Sequence, residues 1–405
     1  MTFSSSYSGS YTAAASEPLP LSLETALESL QSEDFAHRWD AAKVIKRYGE
    51  LAIAPLLNLL QEADDDDDLM WFIVRTLGEI AHPLALQALI QILQSTHADD
   101  IRQASATALA QHPEAVLPQL ELLLKDKQGR SHAILVLVQM HHPNALPLLL
   151  SLANEADTAI RVLAVEALSY SHDPIVLPIL KQALTDPIAA IRRAAVAGLS
   201  IWKDDQAPKD LVALIAPLLR DLNLEVCRQA ILTLGRLGHE VAIVPLDEVL
   251  RSPYTPDSLR PDVIRSLSWI DHPAALDCLW RELSTTAAPA IAQEIIAILG
   301  RLTAAHLHPT ANQILLEALQ SHNAVLKTTE VRRAIAHSLG QLRQPNALQH
   351  LIHLLLDGDR SVQLHALAAL RNWPTASLNE AIQYLRQQVQ VSSSLETELN
   401  QLLAE

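Results

Sequence analysis

The segment IRQASATALAQHPEAVLPQLELLL, beginning at Ile101, returns as IRVLAVEALSYSHDPIVLPILKQAL from Ile160 and as VRRAIAHSLGQLRQPNALQHLIHLLL from Val331. Each copy reads as a helix, a turn and a second helix. With the leucine-type residue that closes the first helix as anchor, copies fall at Ile45, Leu77, Leu109, Leu137, Leu168, Leu199, Leu234, Leu267, Leu299, Leu339 and Leu370. That makes 11 copies at intervals of 28 to 40 residues. Within the first helix the apolar slots lie at minus 8, minus 5, minus 4, minus 1 and 0 from the anchor, the spacing of one buried face. The minus 5 and minus 1 slots are often alanine, as at Ala104, Ala108, Ala194 and Ala334, so neighbouring helices can approach closely. The second helix adds its own stripe, such as Leu56, Leu57, Leu59 and Leu60. One copy cannot bury both stripes, so the copies must stack. The sequence therefore predicts an all-α fold, a right-handed α-solenoid of about 11 antiparallel helix-pair repeats over residues 21–385. A C-terminal capping helix is expected at 386–405 and a disordered tail at 1–20.

Composition agrees with that fold and narrows the function. Apolar residues make up 49% of the chain, but aromatics only 4% and glycine only 10 residues, so the core is built from helix-forming Ala, Leu and Ile with Val. A formal charge of −16 repels phosphate backbones and anionic membranes, so nucleic acid is not an expected partner. Cys227 and Cys278 have neither disulfide nor metal-site spacing, which fits a reducing compartment and a cytoplasmic location. Residues 1–20 have no secretory signal pattern, and no apolar run is long enough for membrane insertion. There is no Walker A loop, GxGxxG, GxSxG or HExxH, so no catalytic residue and no cofactor is assigned.

Turn chemistry keeps the same register. Pro55, Pro83, Pro113, Pro143, Pro174, Pro273 and Pro345 begin or nearly begin second helices, where a missing N–H costs nothing. Pro118, Pro147, Pro178, Pro217 and Pro245 either mark the true helix start or bend it. The minus 7 slot is arginine in seven copies (Arg38, Arg102, Arg130, Arg161, Arg192, Arg260 and Arg332), often after a helix-capping aspartate such as Asp34, Asp126, Asp157 or Asp257. Stacking would bring each arginine near a neighbour's carboxylate. With this Asp/Arg ladder the chain resembles the HEAT family. Its short unit is similar to the HEAT variant of phycobilisome bilin lyases, and LMWFIVRTLGEI from Leu69 loosely resembles an aromatic-rich helix of those proteins. The resemblance implies a protein-binding solenoid or, alternatively, a lyase or lyase-like chaperone with phycobiliproteins as partners.

Several side chains invite a chemical reading. His82, His112, His142 and His172 recur at intervals of 30, but equivalent positions in stacked helices lie on the order of 10 Å apart, too far to share one ion. They are read as turn residues, and no metal site is assigned. Asp64 to Asp68 lack calcium-loop spacing and read as a solvated loop or as a docking site for a basic partner. Cys227 replaces the ladder arginine of its copy and reads as a structural thiol.

The minus 6 slot is usually polar, as at Gln103, Ser131 and Arg193, yet it holds Trp39 and Trp71 in the first two copies. Two tryptophans one repeat apart form either an exposed binding patch or a surface buried beneath residues 21–32. Trp202, Trp269, Trp280 and Trp373 read as packing between repeats. The chain is thus expected to be a non-catalytic scaffold or assembly adaptor. Its second helices would line a groove, with Trp39 and Trp71 gripping a partner protein and Asp66, Asp67 and Asp68 steering it.

Overall fold

The computed structural model describes residues 22–63, 66–202, 208–371, 373–391 and 393–404. Among these residues there are 24 α-helices and no strand. Helix α1 (Leu23–Leu30) precedes the pairs α2 (Phe35–Ile45) and α3 (Glu50–Glu62), α4 (Asp67–Gly78) and α5 (Pro83–Ser95), α6 (Asp99–Ala110) and α7 (Pro113–Leu123), and α8 (Lys127–Met140) and α9 (Leu146–Leu152). Next come α10 (Thr158–Leu168) and α11 (Leu177–Ala183), α12 (Ala189–Leu199) and α13 (Pro208–Ile215), α14 (Leu224–Leu237) and α15 (Ile243–Arg251), and α16 (Arg260–Ser268) and α17 (Pro273–Thr285). The last pairs are α18 (Pro289–Gly300) with α19 (His308–Gln320), α20 (Thr329–Leu342) with α21 (Ala347–Leu354), and α22 (Arg360–Leu370) with α23 (Thr375–Gln388), followed by α24 (Ser393–Ala404). Two compact units divide between Ala164 and Val165, within α10.

In the first unit the first helices form one row, with α2 packed on α4, α4 on α6 and α6 on α8, while α3 packs on α5. The second unit repeats the arrangement from α12 to α22. All 11 anchors are buried, and within each unit stacking makes such a residue core to its own pair and to a neighbouring layer. Small residues set the distance between layers. A Cβ added at Gly78 would lie 2.5 Å from the Ala108 Cβ, one added at Gly235 2.6 Å from that of Ser266, and one at Gly300 2.6 Å from that of Ser338. Thr233 and Ser338, both at minus 1, donate hydroxyl bonds to Val196 O and Ile296 O of the preceding first helix.

The arginine at minus 7 has a local duty besides its ion pair. Arg102, Arg130, Arg161 and Arg192 donate to the carbonyls of Thr96, Leu124, Glu155 and Asp186, each six residues back, at 2.7–2.9 Å. Arg38 does the same to Ser32 at 2.5 Å. These contacts satisfy carbonyls left over where the preceding segment turns. The ladder to the next repeat forms at Arg38–Asp66, Arg130–Glu155, Arg192–Asp221 and Arg332–Asp357. Arg260 instead reaches Glu282, 3.7 Å away on a second helix, and Arg102 pairs with Asp99 of its own helix.

Three readings need correction. Pro55 lies inside α3, which already begins at Glu50, so it does not start that helix. Trp269 is 44% exposed at the end of α16, so its indole is not enclosed between repeats. The final helix starts at Ser393 rather than 386, because residues through Gln388 continue the last second helix; its Leu395, Leu399 and Leu402 are buried. The long interval before Leu339 has a packing cause: the added turn buries Leu326, and the Asn323 amide donates to the Ser284 and Thr286 carbonyls. The expected tail at 1–20, with Asp64 and Asp65, lies outside the described residues. No described helix is long and apolar enough to cross a membrane.

Candidate functional site

The N-terminal tryptophans belong to the first-helix row of the first unit, not to the second helices expected to line a groove. Helical spacing assembles their surroundings. Phe35 lies four residues before Trp39 on α2, and Arg75 four residues after Trp71 on α4, so each pair shares a face. Packing α2 on α4 then gathers all four. Phe35 stacks on Trp39 with centroids 5.9 Å apart, and its edge meets Phe72 at 5.2 Å; Trp71 meets Phe72 edge-on at 5.1 Å. The Arg75 guanidinium lies 4.2 Å from the Trp39 ring centre and 5.3 Å from that of Trp71, so one cation spans both indoles.

Trp39 and Trp71 are each half-buried, and Phe35 remains 63% exposed. The surface is therefore neither bare nor sealed. Helix α1 packs against α2 and α3, but its buried residues are Ala26 and Leu30, and the indoles keep access to solvent. Charged neighbours hold the cluster in place: Glu79 accepts from Lys46 at 2.7 Å and lies 3.8 Å from Arg75.

The three described aspartates of the acidic run divide by role. Asp66 caps α4 by accepting from the Leu69 N–H at 2.8 Å and takes a two-pronged ion pair from Arg38 at 2.6 and 3.2 Å. Hydrogen bonding from Arg38, with help from Leu69 N–H and against burial, holds the Asp66 carboxyl below its usual range. It is engaged in the fold. Asp67 and Asp68, in the first turn of α4, are exposed. They border an open groove of about 790 Å³ between α4 and α6, floored by Phe72, Ile101, Ala104 and Ala108. Its rim carries Asp67, Asp68, Glu79 and Asp100 against the single cation of Arg75.

Phe35, Arg75 and Asp100 were not named from the sequence. The four-residue offsets from Trp39 and Trp71 would have found the first two; Asp100 needed the packing of α6 beside α4.

The other candidates resolve as structure. His82, His142 and His272 cap second-helix turns, their Nδ1 atoms accepting the N–H two residues on at 3.1–3.2 Å. Their Nε2 atoms face Glu50, Glu114 and Glu240 of the preceding repeat at 3.3–3.9 Å. His112 contacts Gly78 O at 2.6 Å, while Asp173 takes the cap beside His172. No three metal-ligating side chains converge among the described residues. Cys227 is buried, and burial with the nearby Asp221 carboxylate pushes its thiol up; burial first, then Asp247, pushes Cys278 to about 11. Neither is activated as a nucleophile.

Helix pairs stacked in a row within each unit define an α-solenoid repeat protein. The HEAT-repeat family model matches residues 23–110, 116–200 and 281–371, well over half of the sequence, and the chain belongs to the HEAT-repeat family. No curated protein matches it in sequence. Among solved structures it is similar to importin beta crystallised in ammonium sulfate, with TM-score 0.55 and 13% identity over 94% of this chain and 60% of that one. It is also similar to Kap121p bound to Ste12p, with TM-score 0.54 and 16% identity over 93% of this chain and 48% of that one. The chain thus spans roughly half the length of these two proteins, and the likeness is one of fold.

Proposed function

We propose that this protein is a non-catalytic scaffold or assembly adaptor that binds a partner protein at the Phe35–Trp39–Trp71 surface. The observation carrying this reading is the half-exposed aromatic cluster held on one face by Arg75. Large, rigid side chains kept open to solvent are the kind that dominate binding energy at protein interfaces. Structures of the same fold include Kap121p bound to Ste12p and to Nup53p, which supports protein partners as the class. The same reading keeps the chain in the cytoplasm, where the separately buried thiols of Cys227 and Cys278 would persist.

A bilin-lyase or chaperone role toward phycobiliproteins retains only the resemblance of the short repeat. The groove beside Trp71 offers one arginine among four carboxylates, a poor match for tetrapyrrole propionates.

The test is affinity capture from the source lysate with wild type and a Trp39→Ala/Trp71→Ala variant, read for bound protein and for visible absorbance. A colourless partner lost in a variant of unchanged helicity supports the adaptor. Undiminished capture removes this surface from the function, and bound pigment redirects it to bilins.

A further inference from the structure

Resting on that reading, we infer that the groove between α4 and α6 takes a basic segment of the partner, with an apolar side chain seated between flanking lysines or arginines. Shape and charge each contribute. The alanines at minus 5 and minus 1 of α6, Ala104 and Ala108, leave room beside Trp71 and Phe72, and Ile101 completes an apolar floor. This opening suits one bulky aliphatic or aromatic anchor.

The rim then selects what flanks the anchor. Asp67 and Asp68 on α4 and Asp100 on α6 stand at the N-terminal ends of two neighbouring helices, all three exposed. Among the described residues none of the three has a salt-bridge partner, unlike Asp66 beside them, which is bound to Arg38, and Asp99, which is bound to Arg102. At the other end Glu79 is shared between Lys46 and Arg75. Arg75 already lies against both indoles, so among the described residues that line the groove there is no free cation with which to greet an acidic segment. The chain's net charge of −16 adds attraction for a basic partner at longer range and repels an acidic one.

The aromatic surface and the acidic rim are adjacent but distinct, so the inference can fail while the proposed function stands. The experiment is selection of random 12-residue peptides on the full chain, with counter-selection on Ala104→Trp, which fills the groove. Recovered peptides are then titrated by intrinsic tryptophan fluorescence. The expected peptides carry net positive charge around one Leu, Ile, Met or Phe. Their affinity should fall about tenfold in Asp67→Asn/Asp68→Asn/Asp100→Asn, the combined effect of three exposed ion pairs, and should weaken as salt is raised. Neutral or acidic peptides, or basic ones indifferent to the triple variant, overturn the inference but leave the adaptor reading intact. Failure to recover any peptide sensitive to Ala104→Trp overturns the groove as a docking site. If peptides also ignore Trp39→Ala/Trp71→Ala, the proposed function fails with it. Circular dichroism of each variant separates these outcomes from loss of fold.

Discussion

The Cys227 thiol donates to the backbone carbonyl of Asp221, six residues back, at 3.1 Å, the contact that an arginine makes in five other repeats. Gln363 makes it too, donating to Asp357 O at 2.7 Å. What the minus 7 slot must supply is a donor for a carbonyl at the turn between repeats. The ion pair to the next repeat is an addition that arginine alone provides.

The thiol in that slot should be inert. Burial and the Asp221 carboxylate raise the Cys227 pKa, and Cys278 is pushed to about 11. Native protein is expected to react with Ellman's reagent far more slowly than denatured protein, with both thiols appearing only on unfolding. Two rapidly titrating thiols in the native state would contradict this placement.

Arg192 and Asp221 form the best-buried rung, the guanidinium donating from Nε and one Nη to the two carboxylate oxygens at 2.7 Å. Asp221→Asn should destabilise the chain by about 2–3 kcal/mol near neutral pH in urea melts. Hydrogen bonding from Arg192 lowers the Asp221 pKa in the fold. Its contribution is therefore present above the unfolded value near ~4 and is lost as pH falls through the folded one. The gap between wild type and Asp221→Asn should narrow at about pH 3; a gap constant with pH would show that charge is not its source.

Leu109 tests whether neighbouring layers share a core. Leu109→Ala should cost about 2–5 kcal/mol, and hydrogen exchange should accelerate in α4 and α8 as well as α6, since α6 packs on both. Faster exchange confined to α6 would mean that repeats in this unit are stabilised one by one.

His272 should behave as a cap. Its Nδ1 accepts the Ala274 N–H at 3.1 Å, so His272→Ala should lose roughly 1 kcal/mol while His272→Asn keeps most of it. Equal melting of the two variants would place the contribution in the Glu240 contact instead.

Repeat number and register were legible because the anchors recur in a 3–4 pattern that only stacking can bury, and every anchor from Ile45 to Leu370 is indeed buried. Arginine at minus 7 also announced itself, yet its role divided in a way spacing does not reveal: the backbone contact is local, whereas the carboxylate depends on what the next loop happens to place nearby. Trp39 and Trp71 stood out as apolar intruders in a polar slot. Whether they were open or covered was not legible, because exposure depends on how α1 meets α2. Within the acidic run the ion pair of Asp66 was not legible, since its partner Arg38 lies 28 residues away in sequence.

Layers stacked in series add their rotations, and this gives the glycine contacts a mechanical meaning. Where Gly235 lies against Ser266 and Gly300 against Ser338, a single methyl group would have to tilt one layer on the next. Every layer beyond inherits that angle, so the displacement at the end of the row grows with the number of repeats crossed. The smallest side chains in the protein thus act as its bearings, and curvature within the second unit responds to a change of one methyl group at these contacts.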